Sequence, residues 1–143
     1  MSEPVVHHLV FRLHGVVMQK SLGPACMTPD MGDLLRELSR DFIVWLFCEP
    51  SREELAPVME SLQLDQMIPR AHWLFASGRL CAEKPKELIE ELMARTGGRR
   101  EELLWIDDRP AVATAVIRAG MHAVAFVDAF RLRRNLVLRG LVK

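Results

Sequence analysis

Cysteine is scarce in this sequence, which has three cysteines among 143 residues: Cys26, Cys48 and Cys81. The number is odd, no two cysteines have the spacing Cys-x-x-Cys, and no group of cysteines and histidines has the spacing of a zinc site. The pattern argues against a domain held together by disulfides or zinc. Reduced thiols are typical of a cytoplasmic protein, and we expect that location.

The sequence also lacks an excess of charge of either sign, because 19 lysines and arginines balance 19 aspartates and glutamates. Proteins that bind nucleic acids or membrane surfaces in a general way usually carry a basic excess. We therefore expect neither a nucleic acid nor a membrane as a partner. A net charge of zero favours self-association, so a homodimer is one expectation.

Long hydrophobic runs are missing, since no apolar stretch approaches the roughly 18 residues of a membrane-spanning helix. The N-terminal MSEPVVHHLVFRLHG lacks the basic start and the apolar run of a signal peptide. There is no internal repeat, low-complexity stretch or linker. Half of the residues are hydrophobic, and we expect residues 1–143 to form a single domain with its own core.

Five short apolar runs are present, and each is nearly continuous rather than alternating. Continuous runs are typical of strands that are buried on both faces of a parallel sheet. The runs are Leu9–Phe11, Phe42–Phe47, Trp73–Phe75, Leu103–Ile106 and Ala123–Val127. Segments with helical periodicity lie between and after them: Met31–Arg40, Glu53–Leu64, Lys86–Arg95, Pro110–Ala119 and Phe130–Val142.

This alternation predicts right-handed crossovers and an α/β fold: a doubly wound (Rossmann-like) parallel five-stranded sheet with helices on both faces. Local signals support two helix boundaries. Ser51 and Glu54 form a capping box, and Gly97-Gly98 follow the third helix. The segment Gly15–Pro29 is the one long stretch that we expect to be irregular, and a loop of that length is often functional.

Polar residues follow the strands at their carboxyl ends, which is where open parallel sheets bind ligands. The candidates are Arg12 and His14 after the first strand, Cys48 and Glu49 after the second, Lys84 before the third helix, and Asp107 and Asp108 after the fourth strand. Two adjacent carboxylates directly after a buried strand usually hold a cation or a positive side chain, because they repel each other when unpaired.

The segments that carry these residues resemble the motifs of the haloacid dehalogenase (HAD) superfamily. LLWIDDRPAVATAVIRAGMHAVAF is similar to the fourth motif, and EKPKELIEELMARTG is similar to the third, with Lys84 at the position of the lysine that contacts phosphate and the nucleophile. WLFCEPSREEL resembles the second motif, with Cys48 in place of serine or threonine, and VFRLHGVV resembles the first. The resemblance covers almost the whole chain and implies the core fold of that superfamily.

The first two motifs are degenerate. In the family, the first aspartate attacks the substrate and forms a covalent intermediate, and Arg12 stands at its position. A guanidinium stays protonated and cannot act as a nucleophile. His14 replaces an aspartate that often acts as an acid or base, although a structural histidine is the plainer interpretation. Cys48 replaces a hydroxyl and fits a small buried apolar residue.

The segment between Arg12 and Phe42 includes one helix and leaves no room for the cap domain that many HAD enzymes carry. The family binds Mg²⁺ between the carboxylates of its first and fourth motifs, and an arginine makes such a site hostile to a dication. We expect Arg12 to take the place of the metal and to pair with Asp107 or Asp108, since a buried unpaired charge costs about 3–5 kcal/mol. No cofactor is expected on this hypothesis.

These departures favour a catalytically silent HAD-like protein that binds a protein partner or a small anionic ligand, the latter held by Arg12 and Lys84. The alternative is a phosphatase-like HAD hydrolase with a non-standard nucleophile or metal site. That site would use Lys84 with Asp107 and Asp108, the two aspartates would bind Mg²⁺, and Glu49 is a further candidate. A structural subunit of an oligomer is a third possibility.

Overall fold

The computed structural model of the chain describes residues 5–19, 26–49, 57 and 60–143. Its strands are β1 His8–Arg12, β2 Met18–Gln19, β3 Cys26–Met27, β4 Ile43–Cys48, β5 Trp73–Phe75, β6 Leu103–Asp107 and β7 His122–Ala125. Five of them form one parallel sheet in the order β5-β4-β1-β6-β7. After β1, the chain adds β4 and then β5 on one side of it, and later adds β6 and then β7 on the other side. The strand order therefore reverses beside β1, which is where such sheets place ligand sites.

Helices cover both faces of this sheet. They are α1 Met31–Leu38, α2 Pro85–Thr96, α3 Pro110–Arg118 and α4 Ala129–Leu138. Three short 3-10 helices lie at Leu64–Gln66, Arg70–His72 and Arg100–Glu102. Side chains of α1 and α4 belong to one hydrophobic core, and side chains of α2 and α3 belong to a second core on the opposite face. The predicted α/β fold, a five-stranded parallel sheet with helices on both faces, is confirmed.

The position of β1 at the centre of the sheet explains why its sequence is a continuous apolar run. Leu9 and Phe11 are fully buried in the core beneath α1 and α4, whereas Val10 is fully buried in the core beneath α2 and α3. Successive side chains of a strand point to opposite faces, so a strand covered on both faces needs apolar residues at every position. In the described part of the chain, no helix has the length and apolar character needed to cross a membrane.

The ends of the elements differ from the predicted ones by a few residues. The largest difference is at α4, which ends at Leu138 rather than at Val142. Gly140 follows with a φ of 78°, a left-handed conformation that commonly ends a helix.

Two predicted segments are described only in part. Half of the helix predicted at Glu53–Leu64 lies outside the described residues, as do Ser51 and Glu54 of its capping box, while residues 57, 60 and 61 are helical. The segment Gly15–Pro29 contains β2 and β3, which pair in an antiparallel sheet. The expectation of an irregular loop is therefore wrong for those residues, because backbone pairing satisfies their polar groups.

The register of the sheet brings three strand ends to one place. His8, at the start of β1, lies opposite Ile43 of β4 and Leu103 of β6. Parallel strands that are aligned at their starts reach the carboxyl edge together. Arg12, the last residue of β1, therefore lies between the end of β4 and the end of β6.

A buried histidine, His8, lies at the amino ends of the strands, opposite the carboxyl edge. Trp45 donates a hydrogen bond from its indole nitrogen to Nδ1 of His8 over 3.1 Å, and its ring stacks on His72 with the centroids 4.3 Å apart. Nδ1 accepts this bond only when it carries no proton. Burial lowers the pKa of His8, although the charge of Glu102 opposes the shift. His8 is therefore held as a neutral acceptor.

We expect the free energy of unfolding to fall as the pH is lowered below about 6.5, the ordinary pKa of histidine in an unfolded chain. The unfolded state binds this proton more readily than the folded state does, so stability is lost until the pH passes the lowered pKa of folded His8. Urea unfolding at a series of pH values measures the effect. His8→Asn keeps an acceptor for Trp45 and should flatten the profile between about pH 7.5 and 5.

The control is His122→Asn, because His122 is an exposed histidine. It should keep the slope of the wild type. A wild-type profile that coincides with the profile of His8→Asn would contradict this account of the buried histidine.

Candidate functional site

Arg12 lies at the centre of the carboxyl edge of the sheet, and its side chain is 16 % exposed. Its guanidinium donates to Oδ1 of Asp108 over 2.8 Å and to the backbone oxygen of His14 over 2.6 Å. Its Nε donates to Oε1 of Glu49. The expected ion pair between Arg12 and one of the two aspartates is present, and its partner is Asp108.

Asp107 is fully buried, and Arg109 is the cation that accompanies it. The guanidinium of Arg109 donates to both carboxylate oxygens of Asp107, over 2.9 Å and 2.8 Å, and the backbone N–H of Arg109 donates to Oδ1 over 2.9 Å. The indole of Trp105 donates to Oδ2 over 3.0 Å. Burial alone would raise the pKa of Asp107, but the hydrogen bonds and charge of Arg109 outweigh burial and hold that pKa below its ordinary value.

Glu49 joins these two ion pairs. Its Oε1 accepts from Arg12 and also lies 3.4 Å from a guanidinium nitrogen of Arg109. Five charged side chains therefore form one network, which we call the charged cluster: Arg12, Glu49, Asp107, Asp108 and Arg109. It contains two guanidinium groups and three carboxylates, which leaves one negative charge when all five groups are ionised.

Gly15 makes room for the cluster beneath Asp108. Its φ is 84°, and a Cβ added to it would lie 2.5 Å from Cγ of Asp108 and closer still to Oδ2. The N–H of Gly15 donates to the backbone oxygen of Met18 over 2.8 Å, which closes the turn between β1 and β2. The turn thus needs glycine for its backbone conformation and for the close approach of a carboxylate.

The other predicted site residues lie outside the charged cluster. Cys48 is fully buried, and burial raises the pKa of its thiol to about 12, which fits the interpretation as a small apolar residue. His14 contributes its backbone oxygen to Arg12 and forms a β-bridge with Met18. The ammonium group of Lys84 lies 4.0 Å from Glu87, and within the described residues it forms no ion pair with either aspartate.

Arg109 is the functional residue that we did not predict. A signal was present in the sequence, since Arg109 follows the two aspartates directly in IDDRP. We expected Arg12 to be the cation for the aspartate pair. The structure instead gives each aspartate its own arginine, because the side chain of Asp107 lies beside Trp105 and Asp108 faces the turn at Gly15.

The residues at this edge do not fit a magnesium ion. Mg²⁺ requires oxygen ligands that are free to approach it closely on several sides. Both oxygens of Asp107 already accept hydrogen bonds, and a guanidinium nitrogen lies 2.8 Å from the carboxylate of Asp108. A dication there would lie against two fixed positive charges. Among the described residues, no group of three potential ligands has the geometry of a metal site.

We expect the close approach at Gly15 to be visible in stability measurements. Gly97→Ala should lose about 1–2 kcal/mol, because Gly97 also has a left-handed backbone, with a φ of 77°, but nothing lies within 4 Å of an added Cβ. Gly15→Ala should lose about 1–3 kcal/mol more, since the methyl group displaces Asp108 from Arg12. Chemical denaturation of both variants measures the difference, and equal midpoints would contradict the contact.

We also expect Arg109→Met to lose about 3 kcal/mol of stability, because it leaves the carboxylate of Asp107 buried without its cation. Arg118→Met is the matched control, since Arg118 is an exposed arginine of α3 and its loss should change stability by less than about 0.5 kcal/mol. Thermal unfolding with MgCl₂ and with EDTA should give the same midpoint for the wild type. A magnesium-dependent rise of the wild-type midpoint would contradict our assignment of the cluster.

The comparisons with known proteins agree with this geometry at the level of the fold. No protein-family model and no curated protein matches the sequence. Solved structures do match. A HAD family enzyme from Bacteroides thetaiotaomicron, in complex with magnesium and inorganic phosphate, is 12 % identical with a TM-score of 0.69, over 89 % of this chain and 98 % of that one.

Two further structures cover this chain and their own almost completely. A predicted HAD-like family hydrolase from Porphyromonas gingivalis is 16 % identical with a TM-score of 0.70, over 97 % and 99 % of the two chains. A hydrolase from Streptococcus pneumoniae TIGR4 is 12 % identical with a TM-score of 0.70, over 92 % and 98 %. At such identities the likeness concerns the fold alone. The chain therefore has the HAD-like superfamily fold.

Proposed function

We propose that this chain is a catalytically silent HAD-like protein that acts by binding a protein partner. The observation that carries the proposal is the position of Arg12. It ends the central strand where a HAD enzyme has its nucleophile, and its guanidinium is engaged by Asp108 and Glu49. A protonated guanidinium has no lone pair with which to attack an electrophile.

The neighbouring carboxylates and the Cys48 thiol that the structure describes support the proposal, because none of these groups is a free nucleophile. Asp107 is fully buried with both oxygens accepting hydrogen bonds. Asp108 and Glu49 are held in ion pairs by the two arginines. The high pKa of Cys48 keeps its thiol protonated at neutral pH.

A protein partner fits the charges at this edge better than a small anion does. Arg12 and Lys84 were the expected anion-binding pair, but Arg12 is paired with Asp108 and Glu49, and Lys84 is an exposed side chain 4.0 Å from Glu87. The charged cluster has an excess of negative charge, so an anion would have to displace Asp108 or Glu49 before it could bind. A protein surface can contact the cluster without breaking these ion pairs.

The proposal is tested by measuring the hydrolysis of a generic aryl phosphate with millimolar Mg²⁺. We expect no turnover by the wild type above the rate without protein, and no change in Lys84→Ala or Asp107→Asn. Arg12→Asp combined with His14→Asp and Arg109→Ser removes both guanidinium groups and restores two carboxylates. Magnesium-dependent turnover by this variant would identify the scaffold as a HAD site that is inactive for lack of its nucleophile.

The opposite result would support the hydrolase alternative. If the wild type turns over the aryl phosphate and loses that activity on Lys84→Ala or on Asp107→Asn, the protein is an enzyme with a non-standard nucleophile. Circular dichroism of each variant establishes that a loss of activity is not a loss of folding.

A further inference from the structure

The exposed side of α4 carries large apolar side chains, which is unusual for a helix that is also rich in arginine. Phe130 is 74 % exposed, Leu138 is 78 % exposed and Val137 is 37 % exposed. The buried residues of the same helix, Ala129 and Leu132 among them, already supply its contact with the core. Most of the surface of Phe130 and Leu138 is therefore left uncovered by the described domain.

Helical spacing places part of this apolar surface in one row. Phe130, Arg134 and Val137 are related by four and seven residues, so they lie on the same side of α4. Arg134 forms no ion pair or hydrogen bond within the part of the chain that the structure describes. The row thus presents an aromatic ring, an unpaired positive charge and an aliphatic side chain.

A row of opposite charge runs alongside on α1. Asp30, Asp33 and Glu37 line a groove of about 260 Å³ between α1 and α4, and Phe130 lines the other side of the groove. Asp33 is 90 % exposed, and its contact within the chain is an exposed arginine at 3.4 Å. Glu37 is joined across the groove to Arg133 at 2.9 Å.

We call the groove and its two rows the two-helix surface: Asp30, Asp33, Glu37, Phe130, Arg134 and Val137. The α1 half carries three carboxylates, of which Glu37 is paired with Arg133 across the groove and Asp33 lies 3.4 Å from Arg36. The α4 half carries Arg134 and the apolar side chains, and the boundary between the two halves runs along the groove. A two-fold axis along that boundary places the α1 half of one copy on the α4 half of another copy. Self-complementarity of this kind is what an interface between identical subunits requires.

We propose that the two-helix surface binds a second copy of this chain and forms a symmetric homodimer with Phe130 near its centre. The net charge of the chain is zero, so no long-range repulsion opposes the encounter of two copies. A uniformly anionic partner, such as a lipid surface, would meet the acidic row and be repelled by it. This proposal does not depend on catalytic silence, since its test measures mass rather than activity.

The first test is the mass of the protein in solution, measured by sedimentation over a range of concentrations. We expect the wild type to be a dimer at concentrations of about 100 μM, at which a micromolar interface is mostly occupied. Phe130→Asp should raise the dissociation constant at least about tenfold, because it buries a charge at the centre of the interface. Ile117→Asp is the control, since Ile117 is 54 % exposed on α3, on the other face of the sheet.

The second test exchanges the charges. Asp33→Arg and Arg134→Asp should each weaken the dimer, since each puts like charges opposite each other in a symmetric pair. An equimolar mixture of the two variants should restore the dimer, because the altered acidic row of one copy then faces the altered basic row of the other. Restoration on mixing is not expected if these residues act only within their own subunit.

Three results would overturn the proposal. The first is a wild type that stays monomeric at about 200 μM, where even a weak specific contact would be populated. The second is a dimer that Phe130→Asp leaves as stable as Ile117→Asp does, which would place the interface elsewhere. The third is a mixture of the two charge variants that remains monomeric.

Discussion

A carboxylate buried at the end of the sheet is the constraint on which the carboxyl edge depends. Asp107 is fully enclosed, and an enclosed carboxylate stays ionised only when a cation and hydrogen-bond donors accompany it. Arg109 and Trp105 supply both. Arg109 also reaches Glu49, and Glu49 reaches Arg12, so the partner of one buried aspartate becomes part of a network that joins the ends of β1, β4 and β6. The ion pair that compensates Asp107 is thus linked to charged side chains at the ends of all three strands.

The same network lies on a fold that does not depend on it. The strand order, the crossovers and the two hydrophobic cores are those of a HAD-like domain. These features depend on apolar residues beneath the helices, and they do not require any particular side chain at the strand ends. A nucleophile and a metal, by contrast, require carboxylates that are free to react or coordinate. Here the carboxylates of Glu49, Asp107 and Asp108 are paired with Arg12 and Arg109.

The ion pair of Arg12 at the carboxyl edge could be predicted from the sequence, whereas the ion pair of Arg109 could not. The pairing of Arg12 with an aspartate was predicted from the resemblance, which implies that Arg12 stands beside the place of a metal ion, and from the cost of a buried unpaired charge. The role of Arg109 did not follow, because Arg109 lies beyond the end of the strand, and the direction of its side chain depends on the backbone that follows Asp107. Lys84 was expected at the same edge, and the ion pair that the structure gives its side chain is with Glu87, one turn further along its own helix.

The sequence by itself determined the architecture. Continuous apolar runs specify strands covered on both faces, and the helices between them leave a parallel sheet as the arrangement that buries those runs. What only the tertiary structure decided is which charges neutralise which. Three of the four ion pairs described in the charged cluster join side chains that follow different strands, and their distances are set by register and by the turn at Gly15 rather than by spacing along the chain. The exposed rows on α1 and α4 likewise become one surface only because the two helices pack side by side on the same face of the sheet.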